Sequence, residues 1–573
     1  MGKASYNLNN SKKEMDKSAD TEAGSNEVKE AGRFRTILPQ VLASTAKNLL
    51  LLDLGLSVAF PTIVIPALRG TVENYNETLY FTDEQASWFG SIPLICQPIG
   101  SVLSGWVSEP LGRKKAMIIV NIPHIIGWII LHKSYSIELM YLGAVLLGFG
   151  IGFMEAPIIT YVGEISQPSI RGVLISCAGI SVTLGIFIVY WLGSITTWRI
   201  AALICLSVPL VTVVAICFVP ETPMWLLSKH KNEQALKSLQ WLRGWVSPKA
   251  VEKEYQEMQR YSENSNKCQS CQKSNIKCEH PLPTIFDKCK ELKRKRTVKA
   301  FIVVMGLFTI GQFSGVLAMR PFMVQIFKAY NVPMDPRIAT VYIGVIALFA
   351  NIACMSTIRL LGKRRICLIG LIGSLICCLA LASYAQNVFP KNYNSFDTHE
   401  NIPFESSYFP LVAFYFLAFW TNGGVTSIPW FMLSEVFPFK SRGLASGICA
   451  ALNYLLGFIT TKTYLNLDKG LSLNGTMWFY SIVNLIGLVF VYFILPETEN
   501  RTLEDIEYHF SDNDRKLTDI KIAKNAIKET NGNRNNNLEK TVIKNGTKID
   551  ENAQQQENNK NNDGCDNKAF SNE

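Results

Sequence analysis

The chain has 573 residues, 48% of them hydrophobic and 18% charged, with a net charge of +10. An average soluble protein is roughly 25% charged, and here the charge is confined to the two ends and one central stretch, which excludes a single compact soluble domain. The basic residues are not interleaved with aromatics, so a nucleic-acid platform is excluded too; basic loops between membrane helices give the same sign.

Residues 1–35 read as a disordered cytoplasmic tail, polar and with no apolar core before Ile37, so no cleavable signal peptide is expected. A bilayer core of about 30 Å needs roughly 20 apolar residues in helix. Six such stretches follow at about 38–65, 86–106, 116–132, 140–161, 173–194 and 199–219. A charged linker with short helices occupies 227–299. Six more stretches lie at about 300–319, 338–358, 366–386, 408–431, 443–463 and 474–495. The expected architecture is an all-α membrane protein with twelve transmembrane helices in two halves, 36–226 and 300–497. The segment 498–573 is cytoplasmic and, after about residue 510, too poor in large apolar residues to fold.

Orientation follows from the Lys and Arg content of the loops. Loop 2–3 carries Arg113, Lys114 and Lys115, loop 8–9 carries Lys363, Arg364 and Arg365, and 229–299 holds 17 basic against 8 acidic residues. Both termini and the linker are therefore expected in the cytoplasm. The triplets beginning at Asn76 and Asn474 then fall outside, where glycosylation is expected to be possible. Most of the 14 cysteines, such as Cys177, Cys205, Cys377 and Cys378, sit in apolar stretches as small buried hydrophobes.

The halves repeat each other. Glu164 with Arg171-Gly172 recurs as Glu435 with Arg442-Gly443, 271 residues later. Pro220-Glu221-Thr222 recurs as Pro496-Glu497-Thr498, 276 residues later, and Gly112 with its basic run matches Gly362 with its own. Parallel six-span repeats mark one transporter architecture.

Six segments carry a family resemblance: GWVSEPLGRKK (105–115), PIITYVGEISQPSIRG (157–172), PETPMWL (220–226), GQFSG (311–315), IPWFMLSEVFPFKSRG (428–443) and PETENRTLEDI (496–506). Over about 36–508 the chain resembles the sugar porters of the major facilitator superfamily, in particular the insect facilitated trehalose transporter-like branch. The resemblance implies the major facilitator fold, a plasma-membrane location, a monomeric carrier in the lipid bilayer, a small sugar or polyol as partner, and no cofactor. It implies facilitated diffusion by alternating access, with a non-transporting sugar sensor, a proton-coupled symporter and a carrier of a non-sugar solute as alternatives.

It also implies roles for residues. Arg113, Glu164, Arg171, Glu221, Glu435, Arg442 and Glu497 fall at cytoplasmic span ends, where Arg–carboxylate pairs would latch the halves when the inner gate is shut and part when it opens. Gln312, Asn422, Trp430, Asn453 and Tyr454 fall at sugar-binding positions, supplying amides for hydroxyls and an aromatic face for C–H groups. The pattern departs from the family at Glu109-Pro110, Met224 and Arg359 in the latch. In the site, Gly311, Leu317 and Asn422 stand where family members carry Gln, Asn and Glu, and span eight offers no polar group around Ala347.

Two acids fall inside spans. Asp53, in LLLLDLGLSVAFP, and Glu155 are candidates for a proton site or a structural polar contact, Asp53 also for pairing with a base on a neighbouring span. His124 reads as a satisfied packing residue. Cys268, Cys271, Cys278, His280 and Cys289 in the linker have only one CxxC with irregular followers, so they read as a variable insertion and no metal site is expected. No phosphate-cradling or hydrolase motif appears, and no enzyme activity is expected.

Overall fold

The computed structural model describes residues 33–71, 78–265, 292–396, 404–437, 442–499, 501, 506 and 509–510. The described residues form helices and their connections, with no strand among them.

Eleven helices are long and apolar enough to cross a bilayer, and the last, Leu444–Ile494, is 51 residues long. Roughly 20 residues suffice for one crossing, and Ser472 breaks this helix with φ 61° and ψ 171°. It is therefore spans eleven and twelve in one, and the total is twelve. Span three, the shortest of the first half in sequence, and span six, which follows a very short loop, both form, at Arg113–Lys133 and Trp198–Phe218.

Helix ends overrun the apolar windows, because backbone bonding continues past the hydrocarbon boundary wherever a cap ends it. Span two runs Asp83–Leu111 and starts in a capping box: Gln85 N donates to Thr82 Oγ1, and Thr82 N donates to Gln85 Oε1. Span eight, Pro336–Leu361, starts on Asp335 with Pro336 at its first position, where proline's missing N–H costs no bond. Gly112 (φ 93°) separates span two from span three, and Gly362 (φ 82°) separates span eight from span nine, Lys363–Val388.

Four spans are interrupted. Span three turns at Val120 between Arg113–Ile119 and Asn121–Lys133. Span four turns at Met154 between Ile137–Phe153 and Glu155–Ile165. Span seven, Lys295–Phe313, gives way at Gly315 (φ 110°) to the short pieces Val316–Met319, Arg320–Phe322 and Met323–Ala329. Span ten, Tyr408–Trp420, passes through a π turn at Thr421–Val425 before Ile428–Glu435. Such breaks free backbone groups and are tolerated at membrane depth only where protein or a cavity covers them.

Glycines let spans pack backbone to backbone. A Cβ on Gly152 would stand 1.9 Å from Gln97 O, and one on Gly55 would stand 2.0 Å from Val182 O. Span two thus lies against span four, and span one (Arg33–Leu68) against span five (Pro168–Ile195). Between helices in lipid, close approach of this kind replaces the hydrophobic drive available in water. The linker supplies Pro223–Ser228, Asn232–Leu242 and Pro248–Ser265; Arg243 ties it to span four by donating to Ile165 O (3.2 Å).

Candidate substrate cavity and helix-end clasps

At the end that carries the linker, each half folds the same clasp. In the first half Glu221 Oε1 accepts from Arg113 N (3.0 Å) and Glu221 Oε2 from Lys114 N (3.1 Å), capping span three. Arg113 pairs with Glu164 (2.7 Å), and Thr222 Oγ1 donates to Glu164 Oε2 (2.5 Å). In the second half Glu497 accepts from Lys363 N and Arg364 N (3.1 Å each), capping span nine. Lys363 pairs with Glu435 (2.7 Å), and Thr498 Oγ1 donates to Glu435 Oε2 (2.8 Å). Glycine is required before each basic residue: φ is positive, and a Cβ would meet the capping carboxylate at 2.3 Å from Gly112 and 2.4 Å from Gly362. Burial pushes the Glu221 carboxyl above its ordinary range, against the backbone N–H groups of Thr222, Lys114 and Arg113 and the charge of Arg113.

All these bonds lie within one half. Arg171 donates only to Ser166 O (3.1 Å), and the Arg442 side chain lies outside the described residues. No ion pair among the described residues crosses between the halves at this end.

The opposite end differs. Asp83 of span two binds both Arg69 and, across the seam, Lys469 of span eleven. Arg69 also donates to Phe396 O (3.1 Å), Lys328 to Thr71 O (3.0 Å) and Ser87 to Lys462 O (3.0 Å), each bond joining one half to the other.

Between the ends, a cavity partly open to solvent is lined by Pro61 and Gln97 of the first half and by Gln312, Leu317, Arg320 and Thr461 of the second. Gln312 Nε2 donates to Asn453 Oδ1 (2.9 Å), so two of the five expected sugar-site residues meet. Trp430 is 40% exposed and stands edge-on to Phe308 (5.2 Å) and tilted to Tyr454 (6.3 Å). Asn422 turns its amide back onto its own helix, donating to Ala418 O (2.8 Å) in the π-turn segment.

Several polar residues were not singled out in the sequence. Span eight does supply a polar group: Asn351, one turn beyond Ala347, donates to Thr183 Oγ1 of span five (3.0 Å) and accepts from Ser427 Oγ (3.1 Å). The polar set expected to be missing near Ala347 is thus partly restored one helical turn away. Gln97 is buried, and its Nε2 has no partner among the described residues. Lys363, read from the sequence only as an orientation signal, takes the place of an arginine in the second clasp and also pairs with Glu499 (2.8 Å).

Both intramembrane acids have partners. Asp53 is fully buried, 2.6 Å from His124 Nδ1 and accepting from Trp128 Nε1 (3.0 Å), so span three supplies its base and its donor. Glu155 accepts from Ser101 Oγ (2.6 Å). Asn474 sits two residues after the Ser472 break, its Oδ1 accepting from Gly475 N (2.7 Å). Asn76 and the linker residues Cys268, Cys271, Cys278, His280 and Cys289 lie outside the described residues.

Twelve spans in two clasped halves around a shared cavity define a membrane carrier of the major facilitator architecture. The chain belongs to the family described as "Sugar (and other) transporter", whose profile matches residues 40–510. It is 29% identical over 472 residues to a facilitated trehalose transporter of Apis mellifera ligustica, covering 82% of this chain and 88% of that one. It is also 29% identical over 489 residues to one of Polypedilum vanderplanki, covering 84% and 90%. The fold is similar to the xylose transporter XylE from E. coli in an inward-open conformation, with TM-score 0.62, 20% identity, and 81% and 98% of the two chains covered.

Proposed function

We propose that this carrier moves a sugar or polyol across the plasma membrane by alternating access, down its gradient and as a monomer, with both termini and the linker in the cytoplasm. The observation that carries the reading is the contrast between the two ends around a cavity lined from both halves. Bonds across the seam join the halves at the Asp83 end, and the clasps at the linker end stay inside each half. This is the arrangement of a carrier open toward the linker side. In the opposite state Arg171, Arg442, Glu164 and Glu435 come together across the seam as the inner latch.

Gln312, Asn453, Gln97 and Thr461 provide the polar contacts, and Trp430 with Tyr454 the aromatic face on the open side. Facilitated diffusion is favoured over proton coupling because Asp53 is enclosed by His124 and Trp128 and does not line the cavity. Trehalose is the first solute to try, since relatives bear its name.

The test is uptake into proteoliposomes of labelled trehalose, glucose, fructose and polyols, with and without a pH gradient. Saturable uptake of at least one solute, stopping at equilibrium and indifferent to the gradient, supports the reading. Binding without flux would identify a sensor instead, and accumulation uphill with an inward proton gradient a symporter.

A further inference from the structure

The cavity holds a cation that the sugar reading leaves without a task. Arg320 lies where span seven breaks into short helical pieces, and it lines the seam cavity beside Gln312 and Thr461. Its backbone is fixed by Thr62 Oγ1, which donates to Arg320 O (2.9 Å). Its guanidinium forms no ion pair with any carboxylate among the described residues, whereas Arg69 pairs with Asp83. The phenol of Tyr190, buried in span five, lies beside it.

An arginine at membrane depth is costly and normally faces a counter-charge or a water-filled path. Gln97, on the facing wall of the same cavity, is a second donor without an acceptor. One turn beyond Gln97, Ser101 donates to Glu155 Oε2 (2.6 Å), and no acid lines the cavity among the described residues. The cavity is thus lined by an arginine without a carboxylate partner and by an amide N–H without an acceptor among the described residues.

We infer that the solute carried is an anionic carbohydrate, a sugar with one carboxylate or phosphate group. Arg320 receives the anionic group in its planar donor fork, Gln97 donates to a further oxygen, and Gln312 with Asn453 meets the ring hydroxyls. Guanidinium matches both carboxylate and phosphate in bidentate geometry. The inference rests on the carrier reading for its transport arm only, since binding is measured separately.

The experiment uses the purified full chain. Its thermal midpoint is recorded with glucose, glucuronate and glucose 6-phosphate, and with acetate and inorganic phosphate as controls, for the wild type, Arg320→Met and Arg320→Lys. The expected result is stabilisation by glucuronate, glucose 6-phosphate or both, at concentrations about tenfold below those needed of glucose. Arg320→Met abolishes that preference and Arg320→Lys retains part of it. Which charged sugar acts decides between carboxylate and phosphate. Equal stabilisation by glucose, an unchanged preference in Arg320→Met, or equal stabilisation by acetate or inorganic phosphate overturns the inference. Uptake of the same sugars into proteoliposomes separates it from the carrier reading. Flux of glucose without a preference for the charged sugars sinks the inference and leaves the carrier. Stabilisation by charged sugars without flux of any solute sinks the carrier reading and keeps the inference.

Discussion

The two ends of the molecule hold their charges differently. At the linker end, Arg113–Glu164 and Lys363–Glu435 are each internal to a half and reinforced by a threonine and a capped helix end. At the other end, Asp83 is shared between Arg69 of its own half and Lys469 of the other. The clasps are therefore internal to each six-helix half, and the Asp83 bonds join one half to the other. Rigid halves with a labile seam are what rocking between two states requires.

Removing a clasp cation should show the largest effect. Lys363 is 5% exposed and faces both Glu435 and Glu499, so Lys363→Met leaves two carboxylates without a cation and should cost about 3 kcal/mol or more. The Arg113–Glu164 pair is 17% and 19% exposed, and Arg113→Met should cost about half as much. Equal losses of thermal stability in the purified variants would break the comparison between the halves.

The clasp glycines come next. Gly112→Ala or Gly362→Ala forces a positive φ on an L-residue and pushes on the capping carboxylate, which should cost about 2 kcal/mol in the same assay. Unchanged stability in both would mean that the caps at spans three and nine are not needed.

At the seam the expected effect is on populations. Asp83→Asn weakens two ionic contacts, of which the exposed one to Lys469 across the seam is worth about 1 kcal/mol, and should raise labelling of an introduced Thr461→Cys from the Asp83 side about fivefold. Labelling that stayed constant would show that Asp83 does not hold that end shut. In the cavity, Gln312→Ala removes one amide and leaves Asn453 partly unsatisfied, so KM for the carried solute should rise about fivefold, with kcat little changed.

The smallest effect concerns pH. The Glu221 carboxyl titrates higher in the folded protein than in the unfolded chain, so the folded state binds that proton more tightly. The stability this adds is complete below the unfolded value of about 4.3 and is lost as pH rises through the folded value. The thermal midpoint of the wild type should decline over that window, and the decline should be shallower in Glu221→Gln.

Sequence and structure meet most closely at the clasps. The repeated Glu164 and Glu435, Glu221 and Glu497, and Gly112 and Gly362 were visible as a spaced pattern, since a duplicated half needs the same turn chemistry twice. The pairing of Lys363 with Glu435 was not visible, because the spacing of the repeat does not say which cation reaches which acid. Nor was it visible that Asn422 bonds its own helix, since a π turn rotates the side chains that follow it. Arg320 follows the apolar window of span seven and was not singled out in the sequence; the break at Gly315 carries the chain on beside Thr62.

The amino-acid sequence alone determined the twelve spans, the duplication and the charged helix ends. These depend on local quantities: apolar length against bilayer thickness, and turn chemistry repeated along the chain. Only the tertiary structure decided that His124 answers Asp53, that Gln312 meets Asn453, and that the ion pair across the seam among the described residues lies at the Asp83 end. Those outcomes depend on which faces of distant helices pack together, and a linear pattern of apolar residues leaves that open in a helix apolar on every side.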